Sequence, residues 1–174
     1  MRTLCFTLLG AALVACTQAS APGPDADASA ALVGEYRAAS ETAQQLTGDV
    51  AIERGGLVFA NGIVLYTRAL KPRSGYDLMA RDGDSYAAIA VGPGELTVEL
   101  RRVIEQVPLS AGLCGAEAPT YAALAYEARA TGVTLILFAG EEPPGPQATK
   151  SRLCGTFAYV APDGARTRQG VLLW

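Results

Sequence analysis

The sequence predicts a mainly β protein: a single antiparallel sandwich or small barrel-like domain that can include one or two short helices. Short segments that alternate apolar and polar residues recur along residues 32–174, and this period of two is typical of half-buried strands. Turn sequences such as Asn61-Gly62 and Asp82-Gly83-Asp84 separate these segments. Short strands with frequent turns favour a sandwich or a barrel.

The first predicted strands lie between residues 50 and 70. Val50 and Ile52 alternate with their neighbours, and Arg54-Gly55-Gly56 can turn the chain into an apolar strand at 57–60. Asn61-Gly62 then predicts a two-residue type I′ hairpin, because both positions accept positive φ. Residues 63–70 are the expected returning strand.

A second hairpin is predicted from residues 86–91 and 96–104, joined at Gly92-Pro93-Gly94. Alternation gives the second of these strands two faces. One face is apolar and the other polar: Leu96, Val98, Leu100 and Ile104 against Thr97, Glu99, Arg101 and Glu105. We expect the acids of the polar face to lie in water. The last predicted strands are 134–139, 156–160 and 169–173, with Pro162-Asp163-Gly164 joining the last two.

Two segments carry mixed signals. Residues 32–46 have apolar side chains at helical spacing, yet 32–38 also alternate, and we favour a helix there. Residues 119–130 are alanine-rich with Pro119 at a plausible helix start, yet they could pair with 134–139, and we favour a strand. Gly34-Glu35-Tyr36 resembles the Gly-x-aromatic opening of small lipocalin-like barrels over three residues.

The first residues predict an exported protein. Met1-Arg2-Thr3 supplies one positive charge, and an apolar run at 4–15 follows it. Leu13-Val14-Ala15-Cys16 resembles the lipobox of bacterial lipoproteins. That resemblance implies a signal peptide at 1–15, a lipid on Cys16, a flexible tether at 16–31 and a β-rich domain at 32–174. Thr17 follows the lipid cysteine, and by resemblance to enterobacterial sorting rules this favours the outer membrane, facing the periplasm.

Two cysteines remain after this processing. Cys5 leaves with the signal peptide and Cys16 is acylated, which leaves Cys114 and Cys154. In an exported protein such a pair is best interpreted as one disulfide bond. Two thiolates without histidine are too few ligands for a structural zinc.

The residue inventory excludes several functions. The chain has no histidine, which rules out Ser-His-Asp and Cys-His nucleophile systems and the usual histidine metal sites. Its net charge is −3 and it has no basic tract, so nucleic acid is a poor partner. The remaining candidates for acid–base catalysis are two carboxylate pairs, Asp82 with Asp84 and Glu141 with Glu142. We therefore predict no enzymatic activity, no catalytic residue, no metal site and no cofactor.

The leading functional hypothesis is non-catalytic binding beside a membrane. Acylated Cys16 would hold the protein to the lipid bilayer, and an envelope protein, or a secreted toxin or enzyme, would be its partner. The candidate binding loop at 141–149 is expected to be exposed and to protrude, is stiffened by three prolines and precedes Cys154. Its candidate contact residues are Glu141, Glu142, Pro143, Pro144 and Gln147. The alternatives are a barrel that binds a small apolar ligand and a carboxylate-dependent cell-wall glycosidase.

Overall fold

The computed structural model describes residues 31–90, 95–109 and 112–162. In chain order the strands and helices are β1 Gly34–Ala38, α1 Glu41–Leu46, β2 Val50–Ile52, β3 Gly56–Phe59, β4 Val64–Ala69, β5 Arg73–Ser74, α2 Tyr86–Ile89, β6 Thr97–Val107, β7 Tyr121–Tyr126, β8 Gly132–Gly140 and β9 Ser151–Val160. The predicted β class is confirmed, and its form is a closed barrel.

Eight antiparallel strands form the barrel in the order β1-β2-β3-β4-β6-β7-β8-β9. Pairing of β9 with β1, at Ala38 opposite Tyr159, closes the ring. The β4–β6 pairing is irregular between Tyr66 and Thr67, where the register shifts, and such bulges bend a sheet toward closure. The short strand β5 pairs with β6 outside the ring.

A second layer covers part of the barrel's outer face. Residues 70–90, which include β5 and α2, fold back over β6, β7 and β8. Their Met79 and Tyr86 pack with Leu100, Ile136 and Phe138 in a core of their own. All six residues of β7 are therefore buried, because one face meets the barrel interior and the other meets this layer.

The hairpin at Asn61-Gly62 is confirmed, but its turn differs from the expected type. Only Gly62 has positive φ, at 90°. Gly62 N–H donates to the Phe59 carbonyl at 2.9 Å, and Phe59 N–H donates to the Ile63 carbonyl at 2.9 Å. This is the pattern of a three-residue loop in which glycine takes the left-handed position. The extra residue removes the need for positive φ at Asn61.

The two mixed segments resolve differently. The helix favoured for 32–46 is only half right, because β1 occupies the alternating part and α1 begins after Ser40, whose Oγ accepts the Ala43 N–H at 3.2 Å. The strand favoured within 119–130 is confirmed as β7.

The strand predicted at 86–91 is wrong. Residues 86–89 form the short helix α2, which places Tyr86 edge-on against Phe138 at a centroid distance of 6.4 Å. The chain here crosses the outside of the barrel instead of extending it. The predicted turns at 92–94 and 162–164, the strand at 169–173, the signal peptide, Cys16 and the tether lie wholly or mostly outside the described residues.

Candidate binding surface

The barrel interior is occupied by the protein's own side chains. Five aromatic residues fill it, each no more than 2% exposed: Tyr36, Phe59, Tyr126, Phe157 and Tyr159. An eight-stranded barrel is just wide enough for such filling. The Tyr159 hydroxyl lies 2.7 Å from the Thr47 hydroxyl, and burial raises the pKa of Tyr159 to about 12.

A buried ion pair lies inside the barrel near the start of β1. The Arg101 guanidinium donates to the Glu99 carboxylate at 3.1 Å and to the carbonyls of Glu53 and Leu32 at 2.6 and 3.2 Å. The Glu99 carboxylate also accepts the Leu32 N–H at 2.5 Å and the Tyr126 hydroxyl at 2.6 Å. Both backbone groups of Leu32 are thus fastened to β6.

This pair corrects, at Glu99, the expectation that the acids of β6 lie in water, whereas Glu105 is exposed as expected. Glu99 is 8% exposed and Arg101 is 1% exposed. Alternation identifies two faces of a strand but not which of them meets the core. In the first half of β6, Glu99 and Arg101 point into the barrel, and the apolar Val98 and Leu100 meet the second layer.

Two described grooves lie on the outside of the barrel. A groove of about 570 Å³ runs over β1, β2 and β3, where the outward side chains of Glu35, Ala51 and Val58 line it. A smaller one, of about 190 Å³, runs over the outward row Ala125 and Thr134 at β7 and β8. Besides these outward-facing residues, the inward-facing Tyr36 and Phe59 also line the first groove, and Tyr126 and Tyr159 also line the second.

Two loops lie at the same end of the barrel, and the first of them is fastened to β9. Residues 112–120 lead into β7 and residues 141–150 join β8 to β9. The disulfide Cys114–Cys154 is confirmed, with Cα atoms 4.9 Å apart, and it ties the first loop to β9. Arg152 and Glu117 form an exposed ion pair at 2.9 Å between the same two segments. We call residues 112–120 and 141–150 the binding platform.

The loop at 141–150 is also held by hydrogen bonds between its own residues. The Glu142 carboxylate accepts the backbone N–H groups of Lys150 and Thr149, and these bonds lower the pKa of Glu142. A side chain at Gly140 would collide with the Lys150 carbonyl oxygen, so glycine permits the close approach of the two ends of the loop. Exposed Lys150 and Glu141 pair at 2.9 Å.

The candidate contact residues of this loop are not equally accessible. Glu141, Pro143 and Gln147 are exposed, and Glu142 is half-buried. Pro144 is buried, because the loop packs on the second layer, where the Gly145 N–H donates to the Met79 carbonyl at 3.0 Å. The expectation of a freely protruding loop is therefore wrong at Pro144.

Sequence reasoning missed the exposed residues that flank the disulfide. Leu153 is 41% exposed beside Cys154, and the Arg152–Glu117 pair spans 35 residues. The shared Leu-Cys-Gly tripeptides at 113–115 and 153–155 are the signal that could have found them, since a disulfide there brings both flanks together.

We expect Glu142→Ala to loosen the platform loop without unfolding the barrel. The two backbone N–H groups lose a charged acceptor, so amide hydrogen exchange at Thr149 and Lys150 should accelerate severalfold at neutral pH. The folded pKa is lowered, so the carboxylate holds these amides above its ordinary value of 4.5 and releases them as the pH falls through the folded value.

The matched control is Glu141→Ala, which removes the adjacent exposed carboxylate but no backbone contact. Equal acceleration in both variants, or none in Glu142→Ala, would contradict the proposal that the Glu142 carboxylate holds these two amides.

The other acidic candidates form no chemical site. Asp82 and Asp84 are exposed on the turn where the Gly83 N–H donates to the Ala80 carbonyl at 3.1 Å. Across residues 31–90, 95–109 and 112–162, no three His, Cys, Asp or Glu side chains cluster as metal ligands. No helix in that same part of the chain has the length and apolarity to cross a membrane.

The fold and the surface together define an eight-stranded antiparallel barrel with a filled interior and a disulfide-fastened loop platform. Comparisons of the chain with protein-family models, with curated proteins and with solved structures find no match.

Proposed function

We propose that this protein is a lipid-anchored, non-catalytic binding module of the bacterial cell envelope. Its binding platform would contact an envelope protein, or a secreted toxin or enzyme, on the periplasmic side of the outer membrane. The observation that carries this proposal is the double fastening of the platform, by Cys114–Cys154 and by the Glu142 carboxylate.

Rigidity is what makes this platform suitable for recognition. A loop that is ordered before contact loses less conformational entropy on binding, so more of its contact energy appears as affinity. Glu141, Pro143 and Gln147 present a charge, an apolar ring and an amide from such a loop. Leu153 adds an exposed apolar side chain beside the disulfide.

The closed barrel loosely fits a second candidate function, the binding of a small apolar ligand. Barrels of eight strands can hold one small ligand when their interior is open. Here Tyr36, Tyr126 and Tyr159 fill the space that such a ligand would need. We therefore place recognition on the outside of the barrel.

The acids in the described part of the chain give the glycosidase alternative little support. Asp82 and Asp84 are exposed on a turn, while Glu99 is buried against Arg101. A glycosidase needs two carboxylates that face each other across a substrate cleft. Hydrolysis of purified peptidoglycan that disappears on replacing one of these acids would overturn the binding proposal.

The proposed attachment to the membrane rests on the Leu13-Val14-Ala15-Cys16 tetrapeptide. We expect Cys16→Ala to abolish metabolic labelling with a fatty-acid probe and to release the domain from the membrane fraction, because the lipid supplies the attachment. Cys5→Ala is the control, since Cys5 precedes the expected cleavage site. Wild-type protein that takes up no label would contradict the proposed lipid attachment.

The partner can be sought by photo-crosslinking in intact envelopes. A photoreactive amino acid at Gln147 or Pro143 should give a discrete higher-mass adduct, whereas one at Tyr76, which is 75% exposed on the second layer, should not. Equal adducts from all three positions, or adducts from Tyr76 alone, would remove the platform from the proposal.

A further inference from the structure

An apolar row crosses the bare outer wall of the barrel. Ala51 is paired with Val58, Val58 with Val64, and Val64 with Val107, and alternation points all four outward. Val58 is 37% exposed and Val107 is 42% exposed. We call these four residues the outer apolar row. The second layer covers the outer face of the barrel at β6–β8 and leaves the outer apolar row uncovered.

The outer apolar row continues into the larger groove. Glu35 of β1 pairs with Ala51, and it lines the groove with Arg37, Asp49 and Pro162. Pro162 is the last residue of its described range. The last described residue before 163–174 therefore lies at the groove, at one end of the row.

We infer that residues 163–174 dock on the outer apolar row of their own chain. This segment has Arg166, Arg168 and Asp163, followed by the apolar run Val171-Leu172-Leu173-Trp174. Its two arginines can pair with Glu35 and Asp49 of the groove, which also has Arg37. Its apolar run matches the valines farther along the row.

The segment is long enough for this contact. Four strand-to-strand steps of about 4.8 Å separate Glu35 from Val107, a span of about 19 Å. Twelve residues can extend about 40 Å, so the segment reaches Val107 with slack. Because the segment is attached beside the row, its effective concentration is in the millimolar range. This favours the same chain over a second copy as the source.

The single tryptophan of the chain, Trp174, reports this contact. In full-length protein on lipid vesicles, acrylamide should quench Trp174 severalfold less efficiently in the wild type than in a Val58→Asp/Val64→Asp variant. Both positions are on the outer face, and circular dichroism checks that the barrel persists. Tyr76→Asp is the control, because it adds a negative charge at an exposed site on the second layer, away from the outer apolar row.

Each alternative position of the segment gives a different result. Quenching by brominated lipids would place Trp174 in the bilayer and overturn the proposal. Protection that disappears when fewer copies share a vesicle would indicate docking on a second copy and would also overturn it. Full acrylamide access in the wild type, or equal protection in the Val58→Asp/Val64→Asp variant, would do the same. The contact does not involve the binding platform, so its failure would leave the proposed function intact.

Discussion

Replacing Arg101 with methionine should lower the free energy of unfolding by about 3–5 kcal/mol, because the change leaves a buried charge without its partner. The Glu99 side chain is 10% exposed and would keep only the Leu32 N–H and the Tyr126 hydroxyl as donors. The Leu32 and Glu53 carbonyls would also lose their guanidinium donor. Urea unfolding followed by circular dichroism measures the loss.

The next residue of the strand supplies a matched control. Arg102 points outward and is exposed, so Arg102→Met should change the unfolding free energy by about 0.5 kcal/mol or less. Both variants remove one positive charge from adjacent positions of β6. If they unfold at the same urea concentration, the buried pair does not stabilise the barrel as described.

Removing the disulfide should cost about 4 kcal/mol. Cys114 and Cys154 are separated by 40 residues, and a cross-link over a loop of this length constrains the unfolded chain by that amount in the chain-entropy model. The double variant Cys114→Ala/Cys154→Ala avoids placing a hydroxyl at Cys114, which is 6% exposed. The measurement is urea unfolding without reductant.

Arg152→Ala is the control for this experiment. It removes the ionic link between the same two segments, and an exposed ion pair contributes about 0–1 kcal/mol. A reductant should destabilise the wild type and leave the double variant unchanged. If the wild type and the double variant unfold at the same urea concentration under oxidising conditions, the disulfide does not stabilise the protein as described.

Local signals in the sequence predicted some of the local structure. Asn61-Gly62 marked its hairpin, and the strand preference at 119–130 was confirmed as β7. The disulfide followed from the number of cysteines and their expected compartment. Each of these inferences uses neighbouring residues or residue counts, which a single sequence displays directly.

The barrel's closure and its layering could not be predicted in the same way. Closure depends on β9 pairing with β1 across more than 100 residues, and no local pattern specifies such a partner. The expectation that Glu99 lies in water was wrong because the second layer supplies an apolar surface outside the barrel, which lets Glu99 and Arg101 face inward. Pro144 was misplaced for the same reason, since its loop packs on that layer.

The central claim is that the exposed side chains of the binding platform carry recognition. It is tested most directly by the Kd of the photo-crosslinked partner for the variant Glu141→Ala/Pro143→Ala/Gln147→Ala, compared with wild type and Tyr76→Asp. We expect the triple variant to bind about tenfold or more weakly, a loss of about 1.4 kcal/mol or more, at an unchanged melting temperature, with Tyr76→Asp binding like wild type. A triple variant that folds normally and binds as tightly as wild type would contradict the account.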